Sequence, residues 1–210
     1  LGLLASPNIA SKEWIVRQYD HEVQGGSAIK PLVGAKQDGP GDGAVVAPVL
    51  GSRHAFALGC GINPCLGDVD PYQMALHAMD ESLRNSVAVG GDPSRTAILD
   101  NFAWGGCDDP ENLGDLVEAC KACYDGAMAY GTPFISGKDS LYNEYRDTST
   151  GEQLAIPPTL LISAICVMPD VSQAVSMDAK SPGNRIYLVG KTYAEPVSYT
   201  HLTLPTSDLV

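Results

Sequence analysis

The residues whose types and spacing could do chemistry lie at two places where an apolar run opens into polar residues: Leu99-Asp100-Asn101, and Ile135-Ser136-Gly137-Lys138-Asp139-Ser140. At the second, Gly137 would let a phosphate approach the main chain and Lys138 offers a point charge. Asp139 is a hard oxygen ligand suited to Mg²⁺, and Ser140 can donate a hydrogen bond. Asp100 could add a second carboxylate. Strand ends often carry ligands, because the sheet fixes the backbone while the following loop exposes it. The P-loop spacing G-x-x-x-x-G-K-[ST] is not met here. On residue types alone, a solvated turn and a nucleotide-binding edge both stay open.

Other candidates carry less. The loop Asp38-Gly39-Pro40-Gly41-Asp42-Gly43 could offer backbone N–H groups to an anion, although such loops are usually plain turns. His77 and Asp80 stand one helical turn apart, a spacing as well suited to a surface ion pair as to acid/base work. His21 has no recognisable nucleophile near it. Cys120 and Cys123 form a C-x-x-C with no second pair to complete a zinc site, and small core residues are the simpler reading.

Acidic residues outnumber basic ones 25 to 13, for a net charge of −12, with no Lys/Arg cluster. Nucleic acid and anionic membranes are therefore poor partners, since both are bound through a positive footprint. No apolar run reaches the roughly 20 residues of a membrane-spanning helix, and the opening LGLLASPNIASKEW has neither a basic leader nor a cleavage pattern. The six cysteines sit in a chain large enough to bury a core, which predicts reduced thiols and a cytoplasmic setting.

The elements that must position these residues follow from periodicity and punctuation. Ser11 to Val23 predicts a short helix capped by Ser11, followed by a turn and a strand in QGGSAIKPLVG; AVVAPVL and HAFALGCGI predict two more strands. Asp70 and Pro71 open a helix with Leu76, Met79, Leu83 and Val87 inward, ended by Gly90 and Gly91. TAILD predicts a buried strand leaving into a loop at Asp100. A second helix runs from about Pro110 to Tyr130, with Leu113, Leu116, Val117, Cys120, Tyr124 and Ala127 inward, closed by Gly131. TLLISAICVM predicts a fully buried strand. Short turns between the early strands favour an α+β fold, a mixed or antiparallel sheet packed with helices, over a doubly wound one.

The stretches VRQYDHEVQGGSAIKPL, GDGAVV, GDVDPYQMALHAMDESLRNSVAVGGDPSRTAILDNFAWG and ACKACYDGAMAYGTPFISGKDSLYNE together resemble the phosphoribosylformylglycinamidine synthase family over about residues 5 to 195. The likeness is to the second half of the synthetase subunit, where a domain related to aminoimidazole ribonucleotide synthetase recurs. It implies that 1–22 is an entering linker, 23–170 the nucleotide-binding domain of the N-terminal type, 171–184 a connector and 185–195 the first strand of a further α+β domain.

The resemblance also implies a reaction. ATP phosphorylates the amide oxygen of formylglycinamide ribonucleotide, and ammonia from a glutaminase displaces the phosphate to give the amidine, with Mg²⁺ neutralising the transferring phosphoryl group. By motif position, Asp100 and Gly137 are expected to contact ATP and Ser140 the ribonucleotide, all against one pocket. Lys138 occupies a place where many members have a metal-ligating Asn, so either Asp139 takes the metal or Lys138 replaces some of its charge. The catalytic His and most metal ligands belong to the first-half domain, which is the expected partner, and the present chain is expected to be inactive alone. A catalytically silent structural repeat is the alternative, and a related ATP-dependent synthetase is another. Leu1 is not an initiator Met, so the chain is expected to begin inside a longer frame. PVSYTHLTLPTSDLV, residues 196–210, matches nothing expected there and resembles a non-native tail, so His201 receives no role.

Overall fold

The computed structural model describes residues 2–188 and 190, apart from 8, 19 and 20. In chain order the elements are α1 (Glu13–Val16), β1 (Ser27–Ile29), β2 (Leu32–Val33), β3 (Gly39–Pro40), β4 (Gly43–Val46), β5 (Ala55–Ile62), α2 (Pro64–Gly67) and α3 (Pro71–Ala88). They continue as β6 (Thr96–Ala103), α4 (Pro110–Tyr130), β7 (Phe134–Ser140), β8 (Glu144–Arg146), β9 (Gln153–Ala155) and β10 (Thr159–Met168). A six-stranded sheet in the order β1-β4-β5-β10-β6-β7 carries the fold. All its ladders are antiparallel except β6 with β7, which run parallel because α4 carries the chain across between them. This is the expected α+β architecture with a mixed sheet.

Both long helices begin where sequence chemistry says they should. The Asp70 carboxylate accepts from Gln73 N and Asp109 from Glu111 N, with proline in the first turn each time. Gly131, at φ 66°, ends α4 in the left-handed conformation glycine adopts without strain. The inward faces differ from the periodic reading. On α3 they are Met74, Ala75, Ala78, Met79, Ser82, Leu83 and Ser86, while Val87 is exposed. On α4 they are Ala119, Ala122, Cys123 and Gly126, with Leu116 and Ala127 half-buried and Leu113, Val117, Cys120 and Tyr124 exposed.

The reason is close packing. A Cβ on Gly126 would lie 2.8 Å from the Met79 sulfur, so the helices approach through small residues and leave large ones outside. Gly43 and Gly59 are ladder partners, and a Cβ at either would fall 2.4 Å or 2.3 Å from a carbonyl of α3. Together with Gly61 they form a trough in the sheet that receives α3.

β5 and β10 alternate strictly. Ala55, Ala57, Gly59 and Gly61 face the helices, whereas Phe56, Leu58, Cys60 and Ile62 face away. Likewise Leu160, Ile162, Ala164, Cys166 and Met168 are buried against the helices, and Leu161, Ile165 and Val167 lie on the opposite, open face. The expectation of a fully buried strand is thus corrected: β10 is central, but only one of its faces is covered.

Among the described residues of 11–23, the α-helix expected there is one turn, Glu13–Val16, with Lys12 rather than Ser11 at the cap position. Trp14 and Ile15 are exposed, so no apolar stripe is buried to hold a longer helix together. Of the strand expected over 185–195, residues 185–188 have no regular secondary structure; 189 and 191–210, including the tail from Pro196, lie outside the described residues.

Arg53, ahead of β5, donates to Asp170 just past β10. That contact, reinforced by Ser172, pulls the Asp170 carboxyl down to about 2. A depressed carboxyl stabilises the fold above its unfolded pKa and loses that contribution as pH falls through the folded value. Asp170→Asn is therefore expected to melt below the parent at neutral pH, with the gap closing between about pH 4 and pH 2. Thermal melts across pH check this.

Candidate functional site

Asp100 and Gly137 are neighbours in the parallel ladder β6·β7, and the register runs on through Asn101 with Lys138, Phe102 with Asp139 and Ala103 with Ser140. Both strands therefore present their C-terminal ends together, the usual location of ligands on parallel strands. Neither strand stops where its polar residues begin: β6 continues to Ala103 and β7 to Ser140. The loop expected at Gly137-Lys138-Asp139-Ser140 is in fact strand, because the ladder with β6 and a bond from Trp104 N to Ser140 O at 2.8 Å hold it extended.

Extended backbone decides where each side chain goes. Asp100 shares the helix-side face with Ile98 and Phe102, both buried against α3 and α4. Gly137 lies on that face too: a Cβ there would sit 2.4 Å and 2.7 Å from the Asp100 carboxylate oxygens. The carboxylate accepts from Lys138 N at 3.2 Å. Burial raises the Asp100 pKa, the Lys138 amide pulls it back in part, and Asp139, on the same face, pushes it up again. Two carboxylates thus gather beside a bare α-carbon.

Lys138 and Ser140 lie on the other face, where the Lys138 ammonium donates to Ser140 Oγ. The single shared face expected from the sequence is not what the ladder presents: Asp100, Gly137 and Asp139 lie on one face at edge strand β7, and Lys138 and Ser140 on the other. Asn101, in the first of the two polar runs, stands in register with Lys138 on the open face.

The remaining candidates do not join them. Asp80 is engaged by Arg84 and by the Tyr130 hydroxyl at 2.7 Å, so it does not form the pair suggested with His77. His77 instead lines a groove of about 530 Å³ between α3 and α4. All six cysteines are free thiols, and burial, aided by Cys120 and Asp100, pushes Cys123 up to about 12, far from a reactive thiolate. Among the described residues no three His, Cys, Asp or Glu side chains converge as a metal cluster, and no helix is long and apolar enough to cross a membrane.

Residues 40–168 match the family described as AIR synthase related protein, N-terminal domain. The phosphoribosylformylglycinamidine synthase subunit PurL of Thermosynechococcus vestitus is 34% identical over 208 residues, 99% of this chain and 26% of that protein. The same subunit of an Anaeromyxobacter species is 39% identical over 199 residues, 93% of this chain and 24% of the relative. Among solved structures, PurLQS from Thermotoga maritima superposes with a TM-score of 0.64 at 25% identity, over 80% of this chain and 25% of that one. Thermotoga maritima PurL complexed with ADP gives 0.60 at 26% identity, again over 80% and 25%; the same protein complexed with FGAR gives 0.60 at 25%, over 80% and 24%. The chain spans about a quarter of the length of the curated relatives it matches.

Proposed function

Because the chain belongs to the AIR synthase related family through its N-terminal-type domain, we propose that it forms part of an ATP-dependent C–N ligase. The reaction joins formylglycinamide ribonucleotide, ATP and glutamine-derived ammonia into formylglycinamidine ribonucleotide, ADP and phosphate. The observation that carries this reading is the Asp100·Gly137 pairing: the strand leaves no room for a side chain where a carboxylate meets the exposed backbone. Such a surface suits a triphosphate approaching main-chain N–H groups.

In this reading Asp100 and Gly137 contact the nucleotide and Ser140 the ribonucleotide. Asp100 and Asp139 fit Mg²⁺, which is commonly held by one or two carboxylates and completed by phosphate and water. Lys138 does not fit as a ligand, having donors only. The ion's contribution when bound is to neutralise charge on the phosphoryl group. The residues that attack, protonate or channel ammonia would come from a first-half domain and a glutaminase.

A structural role for this domain is the second reading, and the open apolar face built from Phe56, Leu58, Leu161 and Ile165 favours some such pairing with the first-half domain. Asp100→Ala and Ser140→Ala in the complete enzyme separate the two. The ligase reading expects each to lose about tenfold or more in kcat/KM, the scale of a lost hydrogen bond to a charged group. Unchanged turnover with a lowered melting temperature would favour the structural one.

A further inference from the structure

We propose that the outer face of α4 is a docking surface for a helix of the same polypeptide lying outside this chain, one whose apolar stripe is flanked by lysine or arginine. The inference rests on surface chemistry and on the length of the relatives, and not on the ligase reading.

Hydrophobic periodicity marks one stripe of α4 as a core face, and the packing leaves it uncovered. Leu113, Val117, Cys120, Tyr124 and Met128 follow one another three or four residues apart, which lines them along one side of the helix. Val117 is 45% exposed, Tyr124 67% and Met128 68%, whereas Ala119, Ala122 and Gly126 close the opposite side against the core. A narrow seam of this spacing is what one helix offers another. From Leu113 to Met128 it runs roughly 22 Å, about four helical turns.

The surface beside the seam is shaped to receive something. A groove of about 550 Å³ is lined by Leu116, Val117, Cys120 and Tyr124, and it meets the groove between α3 and α4 at Tyr72 and Asp125, which line both. The Tyr72 hydroxyl donates to Asp125 Oδ2 at 2.8 Å, so that junction is held in place.

Charge selects the occupant. On α4 the acids are Glu111, Asp115, Glu118 and Asp125, and the one base, Lys121, is already paired with Glu118 at 2.6 Å. Among the described residues no cation lies within ion-pair distance of Glu111, Asp115 or Asp125. Toward β7 the seam is bordered by acids as well: burial, then Asp139 and Asp100, raise the Cys120 pKa. A second copy of this chain would bring the same acids face to face, which like-charge repulsion opposes. A stripe bordered by lysine or arginine meets carboxylates on both sides.

The source of that stripe follows from length. The chain spans 26% and 24% of two curated relatives, so about three-quarters of such a polypeptide is available to cover α4. A tethered segment acts at an effective concentration in the millimolar range, which favours it over a free partner. The open apolar face that suits the first-half domain lies on the far side of the sheet from α4, so that pairing does not cover it.

Tyr124 is replaced by the photoreactive p-benzoylphenylalanine in the complete enzyme, which is irradiated and digested, and the cross-linked peptides are identified by mass spectrometry. The expected product is intramolecular and joins α4 to one segment outside the stretch matched by this chain, with apolar residues three and four apart and lysine or arginine beside them. Alkylation of Cys120 by N-ethylmaleimide, followed on its own peptide, is the second measurement. It is expected to be at least about tenfold faster in the double variant Val117→Gln, Tyr124→Gln than in the parent, because the docked helix loses its apolar anchors. Both side chains are exposed in this domain, so its fold does not depend on them. Neither readout needs turnover, and failure of the ligase reading would leave both intact. A cross-link to a second copy, to a separate subunit or to a segment without basic residues, the absence of any cross-link, or a Cys120 rate unchanged in the double variant would overturn the proposal.

Discussion

Gly61→Ala is expected to destabilise this chain by about 3 kcal/mol or more, lowering its melting temperature by roughly 6–12 °C for a chain of this size. The added methyl would fall 2.0 Å from Ala78 O and 2.8 Å from Ser82 N, both backbone atoms of α3. Neither can rotate away. To make room the helix must lift from the sheet, and lifting it loosens Met74, Met79 and Leu83, which are packed with Ile98, Leu160 and Ile162 in the main core. Overpacking of this kind costs more than a few side-chain rotations because whole elements have to shift. Gly114→Ala is the matched control. Gly114 is an exposed helical residue whose added Cβ would meet nothing within 4 Å, and the change there should be neutral or stabilising by about 0.5–1 kcal/mol. Chemical denaturation of the two variants beside the parent checks both. A Gly61→Ala midpoint equal to that of Gly114→Ala would show that the trough does not set the helix position.

The same trough explains which parts of the fold were legible in the sequence. Helix boundaries were readable because Asp70-Pro71, Asp109-Pro110 and Gly131 act locally, through caps and a left-handed turn. The inward faces were not, because hydrophobic periodicity looks for large apolar residues. Here Ala75, Ala78, Ser82 and Ser86 face the sheet, where glycines draw the backbone close. Large residues such as Val117 and Tyr124 were left outside for the complementary reason: α4 meets α3 through Ala122 and Gly126. Both departures come from close approach between elements, a property of the packed structure and of no single segment.

The candidate site shows a different kind of limit. Asp100, Gly137 and Ser140 are identifiable by residue type and motif, but their division between two faces is not, because a run of such residues reads as a loop. Gly137 and Ser140 stand three positions apart, an odd offset, so reading the run as strand parts them between faces. Asn101 joins Lys138 only through the β6·β7 register, which no count along one strand supplies. The composition of the run hid its conformation: glycine, lysine and aspartate are poor strand formers, and pairing with β6 together with the Trp104 N to Ser140 O bond keeps them extended.

On the proposed ligase reading, Gly137→Ala is expected to raise KM for ATP about a hundredfold in the complete enzyme while leaving the melting temperature within about 3 °C of the parent. Its Cβ would lie 2.4 Å from Asp100 Oδ1, closer than any real contact, so something must move. Here, unlike at Gly61, the obstacle is the end of a side chain. Asp100 can swing aside at little cost to the fold, but in doing so it gives up the Lys138 amide and leaves the position from which it would meet the nucleotide. The methyl also covers the backbone that a phosphate would approach. Steady-state kinetics with ATP and the ribonucleotide varied in turn, beside a thermal melt, measure both halves of the expectation. KM for the ribonucleotide should change far less, since Ser140 and Lys138 lie on the opposite face of the strand. Equal losses for both substrates would mean that the two faces act as one pocket, and a large fall in melting temperature would return Gly137 to a purely structural role. One methyl group placed at two glycines of the same sheet thus separates packing that holds this domain together from the nucleotide contact proposed for it.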